Sequence, residues 1–173
     1  MRFVDDRDYY FTELHPNKSQ EARMFDIADA CHTAYCWTID RLIANKYEIT
    51  EDNMFKVIDG PMKSDWIDER PAKICPWTTV RYVIRKACHD WLDEPILRQK
   101  DAAWLAAGLK EHHQKCIYVP YSGMKIKDSI QIERVCRVPV DPVDIPTRIH
   151  LVVITYNTGK WIAEIRAAKK AGQ

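Results

Sequence analysis

Near the start of the chain Tyr10, Thr12 and Leu14 alternate with Tyr9, Phe11 and Glu13, a period of two that predicts a strand over 9–14. Pro16 ends it. Asn17 stands in an N-cap position with Gln20 three residues on, the spacing of a capping box. Beyond it Met24, Ala28, Cys31, Tyr35, Ile39 and Leu42 recur at steps of three and four, a stripe that predicts a helix of about 25 residues with one buried face. Thr50 is placed to cap a shorter helix through Met54, Phe55 and Ile58, and the breaker-rich DGPMKSD is expected to end it. In CPWTTVRYVIRKACHDWL, Pro76 suits a first turn, and Val80, Val83, Ile84, Ala87, Cys88, Trp91 and Leu92 form one apolar face. Pro95 interrupts, and LRQKDAAWLAAGLKEHH reads as a weaker helical piece ending near His112 and His113.

After Lys115 the period returns to two. CIYVPY is one strand; in MKIKDSIQIERVCRVPV, Met124, Ile126, Ile130, Ile132 and Cys136 share one face and Lys125, Lys127, Gln131, Glu133 and Arg137 the other. VPVDPVDIPTR is a proline-stiffened connection, and RIHLVVITY and KWIAEIR form a hairpin across NTG, where Gly159 can take positive φ. The partners of the N-terminal strand therefore lie about 100 residues downstream of it. This order predicts an α+β fold, a small β-barrel or curled sheet built from 1–16 with 114–173, carrying a helical insertion over 17–113.

Composition changes this picture little. The 173 residues suffice for one domain, or one domain with another inserted. No apolar run reaches the length of a membrane span and the N-terminus lacks a signal-peptide core, so a cytoplasmic protein without membrane association is expected. Six cysteines, none spaced C-x-x-C, are read as buried free thiols. A metal site at Cys31, His32 and Cys36 is disfavoured because His32 points off the helical face shared by Cys31 and Tyr35 and no second ligand pair follows. Adjacent His112 and His113 diverge on a helix and give no metal site either.

Charge is more telling. The net formal charge is +1, yet from Lys115 onward ten Lys/Arg face five acids. A basic C-terminal third on an acidic remainder points to a polyanionic partner. Lysines and arginines on a barrel face would neutralise phosphates, and Tyr118, Tyr121, Tyr156 and Trp161 offer stacking surfaces, with barrel core as the competing role for Tyr156 and Trp161. Arg81, Arg85 and Lys86 lie off the apolar face of their helix, where a solvated surface competes with phosphate contact.

Several segments taken in order carry a family resemblance. LHPNKSQEARM resembles the strand-to-helix entry of the TnpB-type transposon-encoded RNA-guided nucleases, relatives of the type V CRISPR effectors. CHTAYCWTIDRLIANKY and ICPWTTVRYVIRKACHDWL are similar to helices of that family's recognition lobe, and VPYSGMKIK and NTGKWIAEI to its wedge-domain strands. The resemblance spans nearly the whole chain. It implies a wedge-like, OB-like barrel and a recognition-lobe-like insertion that together hold guide RNA. In the family, catalysis belongs to a following RuvC-like domain; this sequence shows none of its Gly-Ile-Asp strand, converging carboxylates or paired C-x-x-C. Two-metal phosphodiester cleavage needs several such carboxylates. No Ser/Cys–His arrangement, P-loop or dinucleotide fingerprint is legible either.

The expectation is thus a protein that is not an enzyme, with no catalytic residues, metal or cofactor, that binds nucleic acid, with structured or guide RNA preferred through the resemblance. The residues that would contact it are Lys18, Arg81, Arg85, Lys115, Tyr121, Lys125, Lys127, Arg134 and Arg137. Two alternatives compete: a phage or mobile-element decoy or inhibitor that binds a guide RNA or a protein of an RNA-guided nuclease or other host complex, and an excised fragment with structural capacity only.

Overall fold

The computed structural model describes residues 7–71, 73–121, 126–132 and 136–169. Strand β1 (Arg7–Leu14) pairs antiparallel with β6 (Lys160–Ala168), β6 with β5 (Ile149–Asn157), and β5 with β2 (Cys116–Pro120), so the sheet runs β1-β6-β5-β2. The N-terminal strand therefore finds its partner at the far end of the chain, with Tyr10 opposite Ile165 and Leu14 opposite Trp161. Burial alternates at Thr12 and Leu14 of β1 and at Trp161, Ala163, Ile165 and Ala167 of β6, whereas Leu151, Val152, Val153 and Ile154 of β5 are all buried.

The alternation expected across 124–137 is divided between two strands, β3 (Ser129–Ile132) and β4 (Cys136–Pro139), which form their own antiparallel pair. With Ile130 opposite Val138 and Ile132 opposite Cys136, the expected parity holds: Ile126, Ile130, Ile132 and Val138 are buried, while Lys127, Gln131 and Arg137 are exposed. A bridge from Leu14 to Val140 links this pair to β1, flanked by His15 N–H to the Pro139 carbonyl at 2.8 Å and Asp141 N–H to the Glu13 carbonyl at 3.0 Å. Among the described residues no ladder joins β2 to β3 or β4, so the four-stranded sheet is not observed to close into a barrel.

The β5–β6 connection is a two-residue turn with Thr158 at φ 49° and Gly159 at φ 82°. Both positive angles match the hairpin turn that favours Asn-Gly, and a β-branched threonine is strained there. Thr158→Asn should raise stability by about 0.5–1 kcal/mol, read as a higher urea midpoint. An unchanged or lower midpoint would show that the strain is absent.

The second compact unit is helical. Met1–Asp26 with Cys116–Gln173 forms one unit and Ile27–Lys115 the other. The division falls inside α1 (Lys18–Ile43), ten residues beyond the expected boundary at 16/17, because the first turns of this helix are tied to the strands. Glu21 Oε2 accepts the Trp161 indole N–H at 2.9 Å, and Phe25 packs on Trp161 and Tyr156 with ring centroids 4.9 and 5.0 Å apart. The capping box at its start is present: Gln20 N–H to Asn17 Oδ1 at 2.8 Å, and Asn17 N–H to Gln20 Oε1 at 2.9 Å.

The segment expected to break after Ile58 does not. Helix α2 (Met54–Val57) continues through a wider π-helical turn, Ile58–Met62, into α3 (Lys63–Glu69). Pro61 lies inside that turn, lacking an N–H and unable to pass the carbonyl four residues back in a regular helix. Widening one turn accommodates it while Met54, Ile58, Met62 and Trp66, spaced by four, all stay buried. The buried stripe overrides the local breaker. Helix α4 (Trp77–Leu92) follows as expected, and α5 (Pro95–His112) is kinked at Asp101, whose carboxylate accepts the Trp104 N–H at 3.0 Å and so caps the second half.

Candidate nucleic-acid interface

The proposed contact residues divide between the two units. In the strand unit, Arg137 stands on the exposed face of the β3–β4 pair and donates from Nη1 to Ser129 Oγ at 3.1 Å. Its carbonyl accepts Gln20 Nε2 at 2.9 Å, which places the start of α1, where Lys18 is exposed, beside β4. Tyr121 follows β2 and is half-buried; burial pushes its hydroxyl pKa up and the Arg137 charge pulls it down, so the two groups interact. Lys127 is exposed ahead of β3 and makes no hydrogen bond or ion pair among the described residues. The fold thus gathers Lys18, Tyr121, Lys127 and Arg137 in one unit, with the opposite face of the hairpin given to core. Lys125 and Arg134 lie outside the described residues.

The helical unit treats its cations differently. Arg81 grips Asp59 through Nε at 2.6 Å and Nη2 at 2.9 Å, a fork that holds the Asp59 carboxyl below the usual carboxylate range. The Arg85 guanidinium lies over the Phe55 ring at 4.8 Å. Both arginines are thus engaged within the protein. Lys115 pairs with Asp29 at 2.8 Å, but both side chains are about 60% exposed, so this pair is weak and easily exchanged for another anion.

Among the proposed stacking residues, Tyr118 and Trp161 are buried, at 6% and 2% exposure. Trp161 is core, hydrogen-bonded to Glu21 and enclosed by Phe25 and Tyr156. Tyr156 keeps 41% exposure and Tyr121 part of its ring.

No protein-family model matches the chain, and a search of curated proteins finds no match. Function must therefore be argued from the residues themselves.

Three groupings arise in the fold, and of their contacts sequence spacing offered only that of Cys36 with His32. Glu13, His15 and Asp141 bring their donor atoms within 4.8 Å of one another, the one set among the described residues that could hold a metal ion. Its ligands come from β1 and the segment after β4, more than 120 positions apart, and His15 Nε2 already meets Asp141 Oδ1 at 2.8 Å. A hydrogen bond satisfies both groups without an ion.

A Cys–His arrangement also exists, contrary to expectation. Cys36 Sγ lies 3.6 Å from His32 Nε2, and His32 Nδ1 is 3.1 Å from His113 Nδ1, so α1 and the end of α5 together form a thiol–imidazole–imidazole chain. Helical i,i+4 spacing supplies the first contact; only the tertiary fold supplies the second. Burial pushes the Cys36 thiol up and His32 down, and takes His113 down to about 4. A protonated thiol beside neutral rings is the reverse of an activated nucleophile. His113 also stacks on Tyr35, centroids 3.8 Å apart, whose hydroxyl donates to Asp90 at 2.7 Å. The cluster reads as structure. The third grouping is a cleft beside Trp66 and Trp77 in the helical unit.

No helix among the described residues is long and apolar enough to cross a membrane.

Proposed function

We propose that the protein is a non-catalytic nucleic-acid-binding protein with RNA as its partner, resembling the wedge and recognition parts of the TnpB-type nucleases. In that reading the sheet and hairpin together form the wedge-like, OB-like barrel. The observation that carries the reading is the β3–β4 pair. Its buried residues Ile130, Ile132 and Val138 are aliphatic, whereas Gln131 and Arg137, and Lys127 just ahead of β3, are exposed, so Lys127 and Arg137 contribute charge without any core role. Arg81 and Arg85, whose charges are engaged inside the helical unit, are secondary; Lys115 is available through its weak pair.

The test is a titration of single-stranded and hairpin RNA at several salt concentrations. Each phosphate contact removed lowers the log–log salt slope by roughly one, so Lys127→Ala/Arg137→Ala should lower it by about two and weaken binding on the order of tenfold. Adding Lys125→Ala should extend the loss by about one further unit of slope if Lys125 shares the face its position in the alternation predicts. Circular dichroism should show both variants folded. Unchanged affinity and slope would reject the hairpin face as the site and favour the second reading, a decoy that binds a protein of an RNA-guided complex. That second reading has its own support in the neutralised arginines of the helical unit.

A further inference from the structure

We propose that the cleft between the end of α3 and the start of α4 is a stacking site for one base of a single-stranded RNA, with the adjoining phosphates held by Arg70 and Lys73. This inference rests on the nucleic-acid reading and adds a site to it that charge pattern and resemblance did not indicate. The cleft is open to solvent, offers about 250 Å³, and has Trp66, Ile67, Trp77, Arg70 and Lys73 among its lining residues. That volume lies below the ~300–1,000 Å³ of sites for drug-sized ligands, and suits a single heterocycle better than a dinucleotide cofactor.

Its walls are pre-set. Trp66 is buried and braced edge-to-face against Trp37, with centroids 5.2 Å apart and planes at 87°. Trp77 is half-buried at the first position of α4, with Lys63 Nζ 5.8 Å from its ring centroid. Trp77 is thus the ring that leaves aromatic surface for a base, and stacking on it accepts any base; Trp66, buried like Trp161, only backs the cleft.

The charges around the cleft favour an anion. The nearby acids are already engaged: Asp65 accepts the Tyr47 hydroxyl, and Glu69 accepts the Trp37 indole N–H at 3.0 Å and pairs with Arg41. Asp68 is two residues beyond Trp66, turned well away from it around α3. Lys73 is exposed and makes no ion pair or hydrogen bond among the described residues. Among the described residues Arg70 bonds through Nε alone, donating to the Ile67 carbonyl at 2.9 Å, which fixes the side chain and leaves the other guanidinium nitrogens for a phosphate.

Arg70 also has an unusual backbone. It ends α3 at φ 37°, ψ 58°, donating its N–H to the Trp66 carbonyl at 2.7 Å. This left-handed capping position is where glycine is the unstrained choice. An arginine held there costs stability, and the proposed phosphate contact gives its side chain a use.

The experiment combines affinity with direct mapping. An octauridylate carrying 4-thiouridine is bound to the full chain, irradiated, and the crosslinked peptide identified by mass spectrometry. Crosslinks are expected within 66–77. Trp77→Leu, which keeps the apolar wall, should weaken octauridylate binding roughly tenfold with little change in salt slope, because stacking and not charge is lost. Lys73→Glu, an exposed change that leaves the fold intact, should weaken binding and lower the slope by about one or more. Arg70→Gly separates cap from ligand: stability should rise while affinity falls. If wild-type protein binds the RNA but the crosslinks map elsewhere and all three variants bind as wild type, the cleft is not the site and the nucleic-acid reading stands. If wild-type protein binds no RNA at moderate salt, the reading and the cleft proposal fall together.

Discussion

Replacing Trp161 by alanine is expected to destabilise the strand unit by about 3–5 kcal/mol, the usual cost of truncating a large buried aromatic. The ring is 2% exposed and lies opposite Leu14 across the β1–β6 ladder. Phe25 and Tyr156 pack against it, so truncation opens a cavity among three partners at once. The indole N–H bond to Glu21 adds a tie between β6 and the first turn of α1. Trp161→Phe keeps part of the packing but loses that bond and some ring volume, and should cost about 1–3 kcal/mol, less than the alanine variant. Urea unfolding gives both numbers.

The same pair of variants decides between two roles for this tryptophan. A core residue is worth much to stability and nothing to RNA affinity, whereas a stacking residue shows the opposite. Trp161→Phe should therefore bind RNA as wild type. A loss below about 1 kcal/mol for Trp161→Ala, together with weaker RNA binding by Trp161→Phe, would mean the ring serves the ligand.

Trp161 also shows what the sequence makes legible. Alternation places it on one face of β6, but that face could have been core or binding surface; the neighbours that decide, Glu21 and Phe25, are about 140 residues away. Features set by local spacing were readable in advance. Asn17 and Gln20 close a capping box because only three residues separate them, and the β5–β6 hairpin follows from its turn residues. The pairing of β1 with a late strand was readable by elimination, since no other period-two segment precedes Lys115.

Two features depend on contacts that local spacing does not show. Gly60 and Pro61 are breakers judged locally, yet the four-residue spacing of Met54, Ile58, Met62 and Trp66 binds the helix through them at the cost of one widened turn. Arg81 and Arg85 looked like available charge because Asp59 and Phe55, 22 and 30 positions upstream, could not be known to face them. The cleft at Trp66 and Trp77 was missed for the opposite reason. Its residues are close in sequence, but tryptophans near helix ends are ordinary core residues until the packing leaves a gap between them.

The histidine pair gives the second large effect, and its sign follows from burial. Desolvation, with a smaller contribution from His32, takes His113 down to about 4, and His32 is also lowered, by burial and then by Lys115. Asp29 opposes this at His32; Asp90 opposes it at His113, where Lys86 adds to it. Both rings are ordinary imidazoles in the unfolded chain, titrating near 6.5. Between about pH 6.5 and 4 the unfolded state then binds more protons than the folded one, so stability falls as the pH is lowered through this window and the contribution is complete only above it. With allowance for screening at a part-exposed ring, His113 should account for about 2 kcal/mol of this loss. His113→Phe preserves the stack on Tyr35, 3.8 Å away, but cannot be protonated. Carboxylate titrations are common to both proteins, so the difference between them isolates the imidazole. Urea unfolding at pH 7.5 and 4.5 should show the wild type losing about 2 kcal/mol more than the variant. Equal losses would mean that His113 takes up its proton within the folded protein, and that the contact between His32 and His113 does not hold a neutral pair.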